Sequence, residues 1–130
     1  MANVCFFSFS ETDRTAVLLI KGRAVNPYYS GLNFRVQDLL QRWNTEDPAV
    51  IRQAITKAMY GTSRTIVFVG SDTWFSRWVP EEVDMTIASG KPVHAIRVSG
   101  TWGAVPPWLN SKGITVYDWS ESNLQALATR

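Results

Sequence analysis

Cysteine and histidine are nearly absent from this 130-residue sequence, which has one of each, Cys5 and His94. A lone cysteine excludes an internal disulfide framework and a thiolate metal site, and it reads as a small buried apolar residue. With one histidine and no fixed Cys or Asp partner, neither an imidazole metal set nor a Ser–His triad can be assembled. His94 lies inside an apolar strand pattern and is expected to be a satisfied core histidine. Long hydrophobic runs are missing too, and nothing approaches the ~20 apolar residues that span a bilayer. The chain opens on a strand-like pattern rather than a secretory signal, so a reducing, cytoplasmic setting is expected. There is no basic run: 13 Lys and Arg stand against 11 Asp and Glu, a net charge of +2 spread along the chain. No basic stretch is interleaved with stacking aromatics, which removes the footprint of a nucleic-acid binder. A Gly-rich dinucleotide fingerprint, a phosphate-loop Gly-Lys-Ser/Thr motif, repeats and low-complexity linkers are also lacking.

What remains is an ordinary globular balance, 45% hydrophobic and 18% charged residues. At this length it reads as a single domain over residues 1–130. The six tryptophans are many for such a chain. Several must be core, and others are available for a ligand shelf or a partner.

Hydrophobic patterning predicts alternating strands and helices. Val4–Phe9 and Thr65–Val69 are apolar on both faces, as strands in the interior of a parallel sheet are. Val93–Val98 and Ile114–Tyr117 follow the same pattern, and a fainter strand lies around Leu32 to Val36. Asp47-Pro48 opens a helix as N-cap and first-turn proline, Val50 through Met59 repeat at helical spacing, and Gly61 closes it. A second helix is expected from about Val79 to Ser89, with Val83 and Ile87 on one stripe and Gly90 as its stop. Ala16–Lys21 starts another helix, and Asn123–Ala128 forms a short one at the C-terminus. Residues 22–47 are the least readable. The expected fold class is α/β: a three-layer arrangement with about five mostly parallel strands flanked by helices.

In such sheets ligands bind beyond the carboxyl ends of the strands. That places Ser8 through Asp13, Gly70 through Glu82, and Ser99 through Gly103 at the candidate mouth. Pro80 belongs in a first turn, so Glu81 and Glu82 are expected there, where free N–H groups and the macrodipole favour an ionised carboxylate. Acidic residues are common in first turns without any chemistry, and Trp74 and Trp78 can equally be packing residues. Asp13 and Asp38 lack a third partner for an acidic magnesium pocket, and no metal site is expected.

Two stretches carry a family resemblance. Phe6-Phe7-Ser8-Phe9-Ser10-Glu11-Thr12-Asp13 resembles the first strand and loop of TIR domains. Ser71 through Glu82 resembles their second signature, in which Ser-x-Trp is followed by Glu four residues after the Trp; here these are Ser76, Trp78 and Glu82. Val69-Gly70-Ser71, Trp78-Val79, Glu82 and Gly90-Lys91, with Asp47 opening the preceding helix, look closest to the TIR-like proteins of bacterial Thoeris antiphage defence. The resemblance runs from Val4 to Val98. It implies a five-stranded parallel sheet and cleavage of NAD at the nicotinamide–ribose bond, with NAD as substrate and no cofactor. It further implies an ADP-ribose-derived signal, cyclic or conjugated, that activates a separate defence effector, and self-association for activity. Carried onto this chain, the catalytic residue is Glu82, and the substrate-binding residues are Ser8, Phe9, Ser10, Ser71, Ser76 and Trp78.

Such sparse machinery suits the chemistry. Nicotinamide leaves as a neutral ring, so no general acid is required, and one carboxylate can stabilise the positive charge that builds on the ribose. Ordinary glycosidases need a pair. The competing reading is a non-catalytic TIR module that assembles with other copies. A flavodoxin-like receiver or nucleotide binder would need clustered acids at the first strand or a Gly-rich loop, and the sequence offers neither.

Overall fold

The computed structural model describes residues 4–29, 31, 32, 34–38, 47–98, 100 and 105–129. Five strands, β1 (Val4–Phe9), β2 (Arg35–Asp38), β3 (Arg64–Val69), β4 (Val93–Arg97) and β5 (Val116–Tyr117), alternate with five helices. The helices are α1 (Arg14–Val25), α2 (Pro48–Met59), α3 (Trp78–Ala88), α4 (Pro107–Ser111) and α5 (Glu121–Thr129). The strands form one sheet in the order β2-β1-β3-β4-β5, and every pairing is parallel. This is the expected α/β sheet with helices on both faces. Its register sets Ser8 beside Val67 and Phe9 beside Phe68.

Strand alternation divides the core in two. Cys5, Phe7 and Phe9 of β1, with Ile66 and Phe68 of β3, pack against Val17 and Ile20 of α1 and Leu124 and Leu127 of α5. Phe7 meets Phe68 edge-on at 4.7 Å between ring centres and Phe34 at 6.0 Å. On the other face Phe6 packs with Ile51, Ile55 and Met59 of α2 and with Trp78. Val67 and Val69 pack there with Val79, Val83, Ala95 and Leu109. Cys5 is fully buried and desolvation pushes its thiol up to about 11, so it acts as an inert core residue.

Local signals place α2 as expected. The Asp47 carboxylate accepts from the Ala49 N–H at 3.0 Å, Pro48 occupies the first turn, and Gly61 takes φ 82° just after the helix. Helix α1 extends beyond Ala16–Lys21 in both directions, and the faint strand lies at Arg35–Asp38 rather than around Leu32 to Val36. The expected stripe on α3 is corrected. Val83 is buried, but Ile87 is 47% exposed, and the helix instead buries Trp78, Val79, Glu82, Val83 and Thr86. Two polar residues occupy core-facing positions. His94 is half-buried on β4 rather than enclosed in the core. Trp102 and much of the 22–47 region lie outside the described residues. Among the described residues, no helix is long and apolar enough to cross a membrane.

Candidate functional site

The carboxyl ends of β1 and β3, with the loop leading into α3, bring two of the seven sequence-predicted site residues into direct contact. Ser8 Oγ donates to Glu82 Oε1 at 2.8 Å, and both residues are 0% exposed. The contact joins residues 74 positions apart. It forms because Ser8 follows Phe6 on the α2/α3 face of β1, where its small side chain leaves room for a carboxylate descending from α3. One turn further along α3, Thr86 Oγ1 donates back to the Glu82 carbonyl at 2.7 Å and lies 2.6 Å from Thr65 Oγ1 of β3. Such back-bonding keeps a buried hydroxyl satisfied inside a helix. Ser8, Glu82, Thr86 and Thr65 thus form a polar seam through an otherwise apolar layer.

Helix α3 starts at Trp78, so only Glu81 falls in its first turn and Glu82 lies beyond it. This corrects the expected placement of Glu82, while Glu81 lies in the first turn as expected. The macrodipole fades within one turn, so the Ser8 hydroxyl rather than the helix end is what faces the Glu82 carboxylate. Glu81 points elsewhere and pairs with Arg52 of α2 at 3.2 Å.

The other predicted residues occupy varied places. Ser76 is half-buried and its Oγ accepts from the Val79 N–H at 3.2 Å, capping the start of α3. Trp78 is 8% exposed and packs with Phe6 and α2. Phe9 is buried on the opposite face of the sheet, against α1 and α5. Ser10 is 7% exposed, and its carbonyl accepts from Asp13 N–H at 2.9 Å, closing a 3-10 turn over Glu11–Asp13. Ser71 is exposed at the mouth.

The β3–α3 loop is held firmly. Thr73 is fully buried; its Oγ1 accepts from Gly70 N–H at 2.8 Å and donates to the Phe68 carbonyl at 3.3 Å. A second 3-10 turn, Thr73–Phe75, then turns Trp74 and Phe75 outward, 45% and 77% exposed.

A pairing of acids at this mouth escaped the sequence reading. Asp13 is 7% exposed and its carboxylate lies so close over Gly70 that a Cβ there would overlap it. Asp72 accepts from Thr12 Oγ1 at 2.7 Å. Burial, and then repulsion from Asp72, hold the Asp13 carboxyl above its usual range. Asp38 takes no part: it is on the edge strand β2, paired with Lys21 at 2.9 Å. The one available signal was that Asp13 and Asp72 follow the ends of two strands that turn out to be neighbours. Among the described residues, no group of three or more His, Cys, Asp or Glu is arranged to hold a metal.

Comparison with known proteins agrees with this frame. Residues 6–102 match the family model described as Thoeris protein ThsB, TIR-like domain. Among solved structures, the fold is similar to that of the TIR domain of the Toll-related receptor TRR-2 from Hydra magnipapillata. The TM-score is 0.60 at 15% identity, covering 98% of this chain and 92% of that one. No curated protein sequence matches this chain. With the family match reaching from the first strand through the loop that carries Glu82 and beyond β4, the chain belongs to the TIR-like domain family of Thoeris ThsB proteins.

Proposed function

We propose that this domain cleaves NAD at the nicotinamide–ribose bond and releases an ADP-ribose-derived signal, cyclic or conjugated, that activates a separate defence effector. The observation that carries the reading is the buried Ser8–Glu82 contact, a carboxylate positioned by a hydroxyl at the carboxyl end of a parallel sheet. No folding need explains a glutamate on the core stripe of α3, where an apolar residue would pack at least as well. A carboxylate withdrawn from water interacts more strongly with a developing positive charge than an exposed one does.

In this mechanism the C–N bond to the pyridinium ring breaks and its electron pair leaves with neutral nicotinamide. Glu82 stabilises the oxocarbenium-like ribose that remains. A nucleophile then captures the anomeric carbon: water gives linear ADP-ribose, and a group of the ligand itself gives a cyclic product. Ser8 keeps the carboxylate in place, Ser10, Ser71, Ser76 and Trp78 belong to the surrounding ligand site, and Phe9 supports it only from the opposite face of the sheet. Because Glu82 is fully covered, the mouth must open for substrate to reach it, and self-association of the domain is the proposed trigger.

The test is incubation of concentrated protein with NAD beside Glu82→Ala, following nicotinamide and product mass by chromatography and mass spectrometry. Release by the unaltered protein alone supports the reading, and the mass separates hydrolysis from cyclisation or conjugation. The same burial of Glu82 favours a second reading, a non-catalytic assembly module. Absence of nicotinamide at high protein concentration, with infected-cell lysate added, would establish that reading instead.

A further inference from the structure

Beside the Ser8–Glu82 contact, the mouth of the sheet holds two carboxylates that the NAD-cleaving reading leaves without a task. Asp13 ends the 3-10 turn after β1, and Asp72 stands two residues past Gly70 in the loop after β3. Each chain segment is fixed locally, by the Ser10–Asp13 turn bond and by Thr73, and the Thr12–Asp72 hydrogen bond ties one to the other. Asp13 Oδ2 is buried with no hydrogen-bond partner. Neither acid has an ion-pair partner among the described residues, whereas Glu11 next door is paired with Arg14. Gly70 supplies the clearance, since any side chain there would displace the Asp13 carboxylate.

A buried anion beside a second anion, with an oxygen left over, is an unfavourable arrangement unless something positive completes it. We propose that Asp13 and Asp72 form the protein half of a binding site for a hard divalent cation of the Mg²⁺ or Ca²⁺ class. Two carboxylates balance its charge, and their oxygens are the ligand type such ions take. The other coordination positions belong to water or to a phosphate oxygen of a nucleotide, as Mg²⁺ sites with few protein ligands commonly arrange. Thr12 donates to Asp72 Oδ2, which leaves the other Asp72 oxygen for the ion. The raised proton affinity of Asp13 has the same origin, since a proton relieves the same repulsion that a cation would.

This assignment does not depend on NAD cleavage, and its test reads binding alone. Mn²⁺ is titrated into the full chain, with bound ion followed by its electron paramagnetic resonance, and melting temperature is measured with Mg²⁺ and Ca²⁺. One saturable site per chain is expected, together with a higher melting temperature when either ion is present. Asp72→Asn and Asp13→Asn should weaken Mn²⁺ by about tenfold or more, through loss of charge and a ligand. Both variants should fold, and Asp13→Asn should melt above the metal-free parent while gaining nothing from added ion. Amide broadening by Mn²⁺ in NMR spectra locates the ion without any substitution, and it should centre on Thr12, Asp13 and Asp72. No saturable site, binding by both variants as tight as by the parent, or broadening centred elsewhere would each overturn the proposal.

Discussion

The two faces of one strand, β1, were built for different ends. Toward α1 and α5 it presents Cys5, Phe7 and Phe9, which sit in one large apolar cluster. Toward α2 and α3 it presents Phe6, then Ser8, and the layer is split into two smaller apolar clusters with a polar seam running through it. Aromatic packing dominates the stabilisation of the first face. The second face accepts a buried glutamate that packing alone would not choose. Stability is concentrated on one side of the sheet and candidate chemistry on the other, and substitutions should separate the two.

The largest effects are expected at the centres of the two faces. Phe68, fully buried and edge-on to Phe7, should lose about 3–5 kcal/mol on replacement by Ala. Urea unfolding would read this, and nicotinamide release per folded molecule should stay unchanged. Glu82→Gln is the mirror case. The amide keeps the shape and can still accept from Ser8, so the unfolding midpoint should move little, whereas kcat should fall by about 10²–10³-fold. If Glu82→Gln retains full turnover, the polar face is structural and the division between faces fails.

Next in size is the seam itself. Ser8→Ala removes the donor to a buried carboxylate and should cost about 1–3 kcal/mol. The effect on turnover should appear in kcat more than in KM, because Ser8 acts through Glu82. Combining Ser8→Ala with Glu82→Leu turns the seam apolar, and chemical denaturation should then show the lost stability regained or exceeded by about 1–4 kcal/mol. A double variant less stable than Ser8→Ala alone would mean that the seam specifies the packing of α3.

Sequence patterning was informative wherever one residue type carried one physical demand. Thr65–Val69 reads as an interior strand because β-branched and apolar residues fill both faces, and β3 is indeed buried throughout. Asp47-Pro48 and Gly61 mark the ends of α2 because a cap and a positive φ are local requirements. Patterning failed on α3, where Glu82 and Thr86 take core-facing positions and leave Ile87 in solvent. Hydrophobic periodicity assigns the stripe by polarity, so a helix that buries its polar residues is read with the wrong face inward. Glu82 was legible through the TIR-like spacing from Trp78, but its partner Ser8 is fixed only by the sheet. The same holds for Asp13 and Asp72, which become neighbours once β1 pairs with β3.

The smallest predicted effect concerns that last pair. The Asp13 carboxyl has a folded-state pKa above its unfolded one, first from burial and then from Asp72. The folded protein therefore binds this proton more readily than the unfolded chain does, and stability from Asp13 falls as pH rises. Its contribution is fully present below the ordinary carboxylate pKa and is lost as pH passes upward through the raised value. Asp13→Asn removes the charge but keeps the shape, so without added metal it should be more stable than the parent at neutral pH by about 0.5–1 kcal/mol. On acidification the advantage should shrink, because protonation gives the parent the same neutral side chain. Urea denaturation of both proteins across the acid range measures the difference directly. A constant gap would show that Asp13 titrates alike in both states, and a gap of opposite sign would mean that its charge stabilises the mouth.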